Sequence, residues 1–295
     1  MDRRRAWWQA SRPHTLPAAA TPVLVGAGLA IGDGAFRWGP FLAALLGALA
    51  IQVAANFTND LSDARKGADT EARIGPQRMV ATGMISERQM TVATVFAFAL
   101  ASAAGIYLIV EAGWVIALIG ITSILAAVGY VGGPRPYGYR GFGEVFVFIF
   151  FGLVATVGSR YVHDRTAPLD VWLLAVPIGF LVTAILVANN VRDIETDAAA
   201  GKRTLAVMLG RERTRALFAV LVFGSFVAIA VFGVAGWTPR ATLFAAFLAP
   251  FSAGIVRTVY ARTEGPALIR VLKGTARLHL LVGLVLAAGA AMGNV

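Results

Sequence analysis

Two short stretches of this chain place oxygen ligands where long apolar sequence gives out. One reads Asn56-Phe57-Thr58-Asn59-Asp60-Leu61-Ser62-Asp63 and runs on to Lys66, Gly67 and Asp69. The other reads Asn189-Asn190-Val191-Arg192-Asp193-Ile194-Glu195-Thr196-Asp197 and runs on to Gly201, Lys202 and Arg203. Asn59/Asp63 and Asn189/Asp193 share one N-x-x-x-D spacing, 130 residues apart. At about 100° per residue, Asn56, Asp60 and Asp63 fall within about 60° of one another on a helix, with Asn59 nearby; Asn189, Asp193 and Asp197 fall within about 80°. Carboxylates at i, i+4 repel even in water, and more so at a membrane helix end unless a cation compensates. Carboxylate and amide oxygens without His or Cys suit a hard cation, Mg²⁺ in particular, which keeps waters and takes one or two carboxylates plus substrate phosphate oxygens. Two such clusters suit two ions bridging one diphosphate. Solvated polar helix ends are the bland alternative, and the matched pair argues against it.

Basic residues follow both clusters: Lys66, Arg73 and Arg78, then Arg192, Lys202 and Arg203. Such residues also serve as loop charges facing lipid headgroups; Arg78 and Lys202 are the better candidates for diphosphate contacts. Residues 130–144 combine turn-forming glycines and prolines with Tyr130, Arg135, Tyr137, Tyr139 and Arg140. Their aromatic faces suit either a developing carbocation, through cation–π attraction, or an interfacial belt. His14, in Arg12-Pro13-His14-Thr15-Leu16-Pro17, suits either an acidic aromatic acceptor or an interfacial helix start. His163 reads as solvated and His279 as a packing or interhelical hydrogen-bonding residue.

The elements that position these groups read as membrane spans. Of the 295 residues 58% are hydrophobic and 14% charged, against about 25% charged in a soluble globule. Apolar blocks of about 18 or more residues predict spanning helices, here roughly 14–32, 38–59, 89–110, 113–131, 144–162, 168–190, 214–236, 240–260 and 276–293. The fold predicted is all-α, nine transmembrane helices in a single domain over 1–295. The acidic motifs lie at 56–69 and 189–197, and the longer polar loops at 60–88, 132–143 and 191–213. Arg3-Arg4-Arg5 with Trp7 and Trp8 reads as the anchor of a retained first span rather than as a signal peptide. Zero cysteines exclude disulfides and thiolate chemistry.

With nine spans, the N-terminus and alternate loops hold 22 of the 26 Lys and Arg. Only Arg37, Arg160, Arg165 and Arg240 face the other way. This predicts a cytoplasmic N-terminus, an external C-terminus and acidic motifs on the cytoplasmic side. The net charge of +10 is then a sidedness signal, with no nucleic-acid partner implied.

These motifs resemble the UbiA superfamily of membrane prenyltransferases, which carry N-D-x-x-D-x-x-x-D after the second helix and N/D-x-x-x-D-x-x-x-D after the sixth. Here they stand as Asn59-Asp60-x-x-Asp63 and Asn189-x-x-x-Asp193-x-x-x-Asp197. The last Asp of the first motif is Gly67, with Asp69 two residues later, and Arg135 stands where the family's Tyr-x-x-x-Lys has lysine. The run from Asn56 to Asp69, Arg73-Ile74-Gly75-Pro76-Gln77-Arg78 and the 130–144 loop resemble the 1,4-dihydroxy-2-naphthoate polyprenyltransferases of menaquinone synthesis, actinobacterial ones in particular.

The resemblance implies a bacterial inner-membrane enzyme that moves a prenyl group from polyprenyl diphosphate to that naphthoate, losing CO₂ and giving demethylmenaquinone. It implies Mg²⁺ on Asn59, Asp63, Asp69, Asn189, Asp193 and Asp197, with Asn56 and Asp60 beside them. Asp60, Asp63, Asp193, Arg78 and Lys202 are the expected catalytic set. Lys66, Arg135, Arg203, Tyr130, Tyr139, Arg140, Arg12 and His14 are expected around the diphosphate or acceptor. The alternatives are another acceptor, such as 4-hydroxybenzoate or homogentisate, and a transporter; a transporter would place its carboxylates near the bilayer midplane.

Overall fold

A computed structural model describes residues 2–65, 75, 78–132 and 136–293 of the chain, and they are all-helical with no strand. Helix α1 (Arg3–Ser11) is followed by α2 (Leu16–Gly32), α3 (Trp38–Arg65), α4 (Glu87–Ala112) and α5 (Trp114–Gly129). Then come α6 (Gly143–Asp164), α7 (Leu169–Ala199), α8 (Leu205–Val234), α9 (Arg240–Ala261) and α10 (Gly265–Ala291). Each of the nine apolar blocks becomes a helix. Eight of the resulting segments, with α1 and α2 counted together, are long and apolar enough to cross a membrane. The exception is α5, whose 16 residues span about 24 Å at 1.5 Å per residue, short of a hydrocarbon core of about 30 Å.

Large apolar side chains that no neighbour covers, such as Phe96, Val110, Trp114, Phe247 and Phe251, stud the outer helix faces. A protein in water rarely exposes so much contiguous apolar surface. The buried core instead centres on α7, whose apolar window is 72% buried against 22% for that of α4. It packs against α8 and α10, while α2 packs against α10 and α6. Close approach explains part of the glycine content: a Cβ on Gly28 of α2 would run into the Ala287 backbone of α10.

Local chemistry sets where the helices start and stop. Ser86 caps α4 in a capping box with Gln89, satisfying two amide donors the helix itself leaves unpaired. Gly113 (φ 90°) separates α4 from α5, a left-handed conformation open to glycine without a Cβ penalty. Phe148–Val154 within α6 is π-helical. Val147, Phe150, Phe151 and Val154, in and beside that stretch, line the central cavity.

Two extensions depart from the sequence expectation. Helices α3 and α7 run on to Arg65 and Ala199, past the expected ends at 59 and 190, so the stretch from Asn56 to Asp63 and the second acidic motif ride on helical ends. Helix α1 was not expected. Its Ala6 and Ala10 pack with Phe57 and Leu61 of α3, and Trp7 sits edge-on to Phe57 at 5.7 Å. It breaks from α2 at Arg12, held left-handed at φ 49°.

At the far end of the bundle, the buried Arg160 of α6 chelates two carboxylates. Its guanidinium lies 2.6 Å from Asp33 and 2.7 Å from Asp164. His163 beside it is 2% exposed, and its Nδ1 accepts the Arg37 backbone N–H at 3.0 Å. The expectation of a solvated His163 fails because α6 turns this ring inward against Phe36, 5.2 Å away.

Candidate active site

The last turns of α3 and α7 open onto one cavity of about 1620 Å³. Asn56, Asn59, Asp60, Asp63, Asn189, Asp193 and Asp197 all line it, as do Arg78, Lys202, Tyr130, Tyr139, Arg12 and His14. Apolar residues of α3, α4, α5 and α6 continue the cavity away from this polar end.

Asp63 is 2% exposed and holds the centre. It accepts from Arg78 Nη2 at 2.5 Å and from Tyr139 Oη at 3.0 Å. Lys202 Nζ stands 3.9 Å from Asp63 and 3.4 Å from Asp197, so one ammonium spans both motifs. The same ammonium lies 4.9 Å from the centre of the Tyr139 ring. The loop that carries Tyr139 is tied to the residues after α7, since the Arg203 N–H donates to the Tyr139 carbonyl at 3.0 Å.

On α7, Arg192 grips its neighbour Asp193 with Nε at 2.7 Å and Nη2 at 2.5 Å, and donates to Asn189 Oδ1 at 2.8 Å. Asn190 donates to Glu144 at 2.9 Å, both buried, and so ties α6 to this turn. The Gly210 break (φ 74°) interrupts α8. Just past it, Arg211 reaches the Val191 carbonyl at 3.0 Å and Glu195 at 2.6 Å.

Two expected ligands have other work. Both oxygens of Asp60 accept backbone N–H groups, from Met79 and Val80 at 3.0 Å each. A carboxylate bonded in this way anchors the return of the loop, with one backbone N–H on each oxygen, while Asp60 still lines the cavity. Asn56 donates to the Ser11 carbonyl at 2.9 Å and to Thr15 Oγ1 at 3.0 Å, and Gln52 also donates to Thr15. That amide pins the α1–α2 junction against α3.

Arg140 and Arg203 are exposed and lie off the cavity wall. The structure does not bring these two side chains to the cavity with the others, although the Arg203 backbone bonds to the Tyr139 loop. Lys66, Asp69, Arg73 and Arg135 lie outside the described residues. Sequence reasoning missed the clamp of Arg192 on Asp193, whose one signal was adjacency, and Lys273 of α10, which also lines the cavity.

The Tyr137 phenol is pushed well up by burial and does not ionise near neutral pH. Tyr137 donates to the Ala126 carbonyl at 2.7 Å and stacks on Phe146 at 4.0 Å, making a rigid aromatic wall beside Tyr130.

The donor set fits Mg²⁺. Among the described residues no three His, Cys, Asp or Glu converge, so the chain offers no closed cage. It offers one or two carboxylates and amide oxygens per helix, the pattern for an ion that takes its other ligands from water and phosphate. Asn59 Oδ1 is buried and unpartnered. An orphaned acceptor of that kind is costly without a ligand.

The profile of the UbiA prenyltransferase family matches residues 19–281. The chain is 40% identical over 289 residues to "1,4-dihydroxy-2-naphthoate octaprenyltransferase" of Mycobacterium tuberculosis, covering 98% of this chain and 97% of that one. It is 36% identical to the protein of the same name from Escherichia coli, over 95% and 94% of the two chains. A UbiA homolog from Archaeoglobus fulgidus shares the fold with a TM-score of 0.70 at 16% identity, over 97% of this chain and 99% of that one. The same homolog bound to GPP and Mg²⁺ matches with a TM-score of 0.66.

Proposed function

Because the chain belongs to the UbiA prenyltransferase family, we propose that it transfers a polyprenyl group from polyprenyl diphosphate to 1,4-dihydroxy-2-naphthoate, a step of menaquinone synthesis. The near full-length relatives of that name support the acceptor. The observation that carries the chemistry is Lys202 standing between Asp63 and Asp197, which supports reading the two distant motifs as one site.

In this reading Asn59 and Asp63, and Asn189, Asp193 and Asp197, hold two Mg²⁺ ions. A solved structure of this fold bound to GPP and Mg²⁺ supports the choice of metal. When bound, the ions supply Lewis-acid neutralisation of charge on the leaving diphosphate. Arg78 and Lys202, now partnered by Asp63 and Asp197, exchange those carboxylates for phosphate oxygens and stabilise the same charge as it grows. The C–O bond breaks with its electron pair left on the diphosphate. The Tyr139 and Tyr130 rings face the allylic cation, and the apolar wall excludes water from it. The naphthoate carbon bearing the carboxylate forms the new C–C bond. Its bond to the carboxylate then breaks, CO₂ leaves, and that pair restores the aromatic ring.

In this reading the chain crosses the membrane nine times, with α5 the short span, and the positive-inside bias supports an N-terminus and a polar end on the cytoplasmic side. The test is turnover of polyprenyl diphosphate and Mg²⁺ by the purified protein in proteoliposomes, with 1,4-dihydroxy-2-naphthoate, 4-hydroxybenzoate and homogentisate offered singly. The expected result is product and CO₂ from the naphthoate alone. Equal turnover of the other acids would overturn the acceptor assignment, and flux of intact diphosphate across the bilayer without turnover would overturn transfer.

A further inference from the structure

The cavity has a second cationic corner that the metal–diphosphate chemistry leaves unused. It lies where the Pro13–Thr15 turn, pinned to α3 by Asn56 and Gln52, meets α10. Arg12, His14 and Lys273 all line the cavity. Arg12 is held left-handed there (φ 49°, ψ 67°), a conformation that L side chains adopt only when the surroundings over-determine it. The charges that act most on the His14 ring are Arg12, Lys273 and Arg192, in that order, all of them positive. Arg192 is held by Asp193 and Asn189; Arg12 stands before α2 and Lys273 on α10. Converging cations on a cavity wall make a site for a small anion.

Resting on the acceptor proposed above, we propose that Lys273, with Arg12 and His14, forms a carboxylate subsite that selects aromatic acceptors bearing an acid group. The diphosphate is held by Arg78 and Lys202 at the Asp63 side, so the two anions of the reaction occupy separate corners. Asn56 joins them mechanically, since it sits in the first motif and fixes the turn that carries His14.

The experiment measures binding separately from turnover. Equilibrium dialysis of the reconstituted protein uses 1,4-dihydroxy-2-naphthoate and naphthalene-1,4-diol, the same ring without the carboxylate. Lys273→Met should weaken binding of the acid about tenfold, the loss of one charge-assisted contact, and leave the diol within about twofold. Lys273→Arg should keep the acid bound, and in turnover Lys273→Met should raise KM for the acid while KM for the prenyl diphosphate holds. Unchanged acid binding, as expected of a lysine serving only lipid headgroups, would overturn the subsite, as would equal weakening of acid and diol. Should the acid bind with the expected pattern yet receive no prenyl group, the subsite stands and the proposed function falls.

Discussion

Arginine and aspartate meet at both ends of this bundle, in different company. At the far end Arg160 is saturated: Asp33 and Asp164 both chelate it, Thr166 holds Asp164 in turn, and none of the three charged residues lines the cavity. At the motif end Asp63, Asp193 and Asp197 are held by cations that also face open volume, and Asn59 keeps an orphaned buried oxygen. A closed ion pair ties helices α2 and α6 together. An ion pair on a cavity wall is a pair of binding groups that neutralise each other until substrate and metal arrive. Buried pairs are weak evidence for net stability, so the two ends are separated by their surroundings, not by their residue types.

Substitutions break this comparison in graded ways. Asp63→Ala and Asp193→Ala should each lower prenyl transfer at least about 10³-fold, since residues that act as a unit fail together. Membrane insertion should persist, checked by fractionation and by melting of the detergent-solubilised protein. Lys202→Met should follow with a loss of about 10²–10³ in kcat, the scale of one preorganised contact to developing charge. Asp60→Asn sharpens the division within the first motif. An amide accepts through one oxygen only, so one of the Met79 and Val80 N–H groups is abandoned. Activity should fall about tenfold, the scale of about one lost buried hydrogen bond, while the Mg²⁺ concentration for half-maximal rate stays where it is. A shift in that Mg²⁺ requirement would return Asp60 to the metal. Arg160→Met should have the smallest effect on turnover, with kcat and KM within about twofold. It should lower stability by ~2 kcal/mol, because the partly exposed Asp33 and Asp164 regain water.

The spans and the acidic motifs were legible because both are local patterns: apolar runs of membrane length, and a repeated N-x-x-x-D at the end of two of them. The resemblance carried the assignment of the acceptor. What escaped was set by contacts distant in sequence. Asp60 and Asp63 look alike as ligands, and only the return of the chain at Met79 and Val80 separates anchor from candidate ligand. Asn56 reads as part of the motif until the α1–α2 junction arrives to take its amide. The α1 helix was hidden because Arg3–Ser11 has no sustained apolar face and depends on Phe57 and Leu61 for its packing. Lys273 counted only as one of many basic residues, since nothing in the local sequence of α10 relates it to a turn some 260 residues earlier.

The most direct test of the central claim, that both motifs make one metal–diphosphate site, is binding of an unreactive thio-analogue of geranyl diphosphate to the reconstituted protein, with Mg²⁺ and with EDTA. The account predicts Mg²⁺-dependent binding that is lost in Asp63→Ala and equally in Asp193→Ala, with the double variant no worse than either. Full Mg²⁺-dependent affinity in one of the single variants would contradict it.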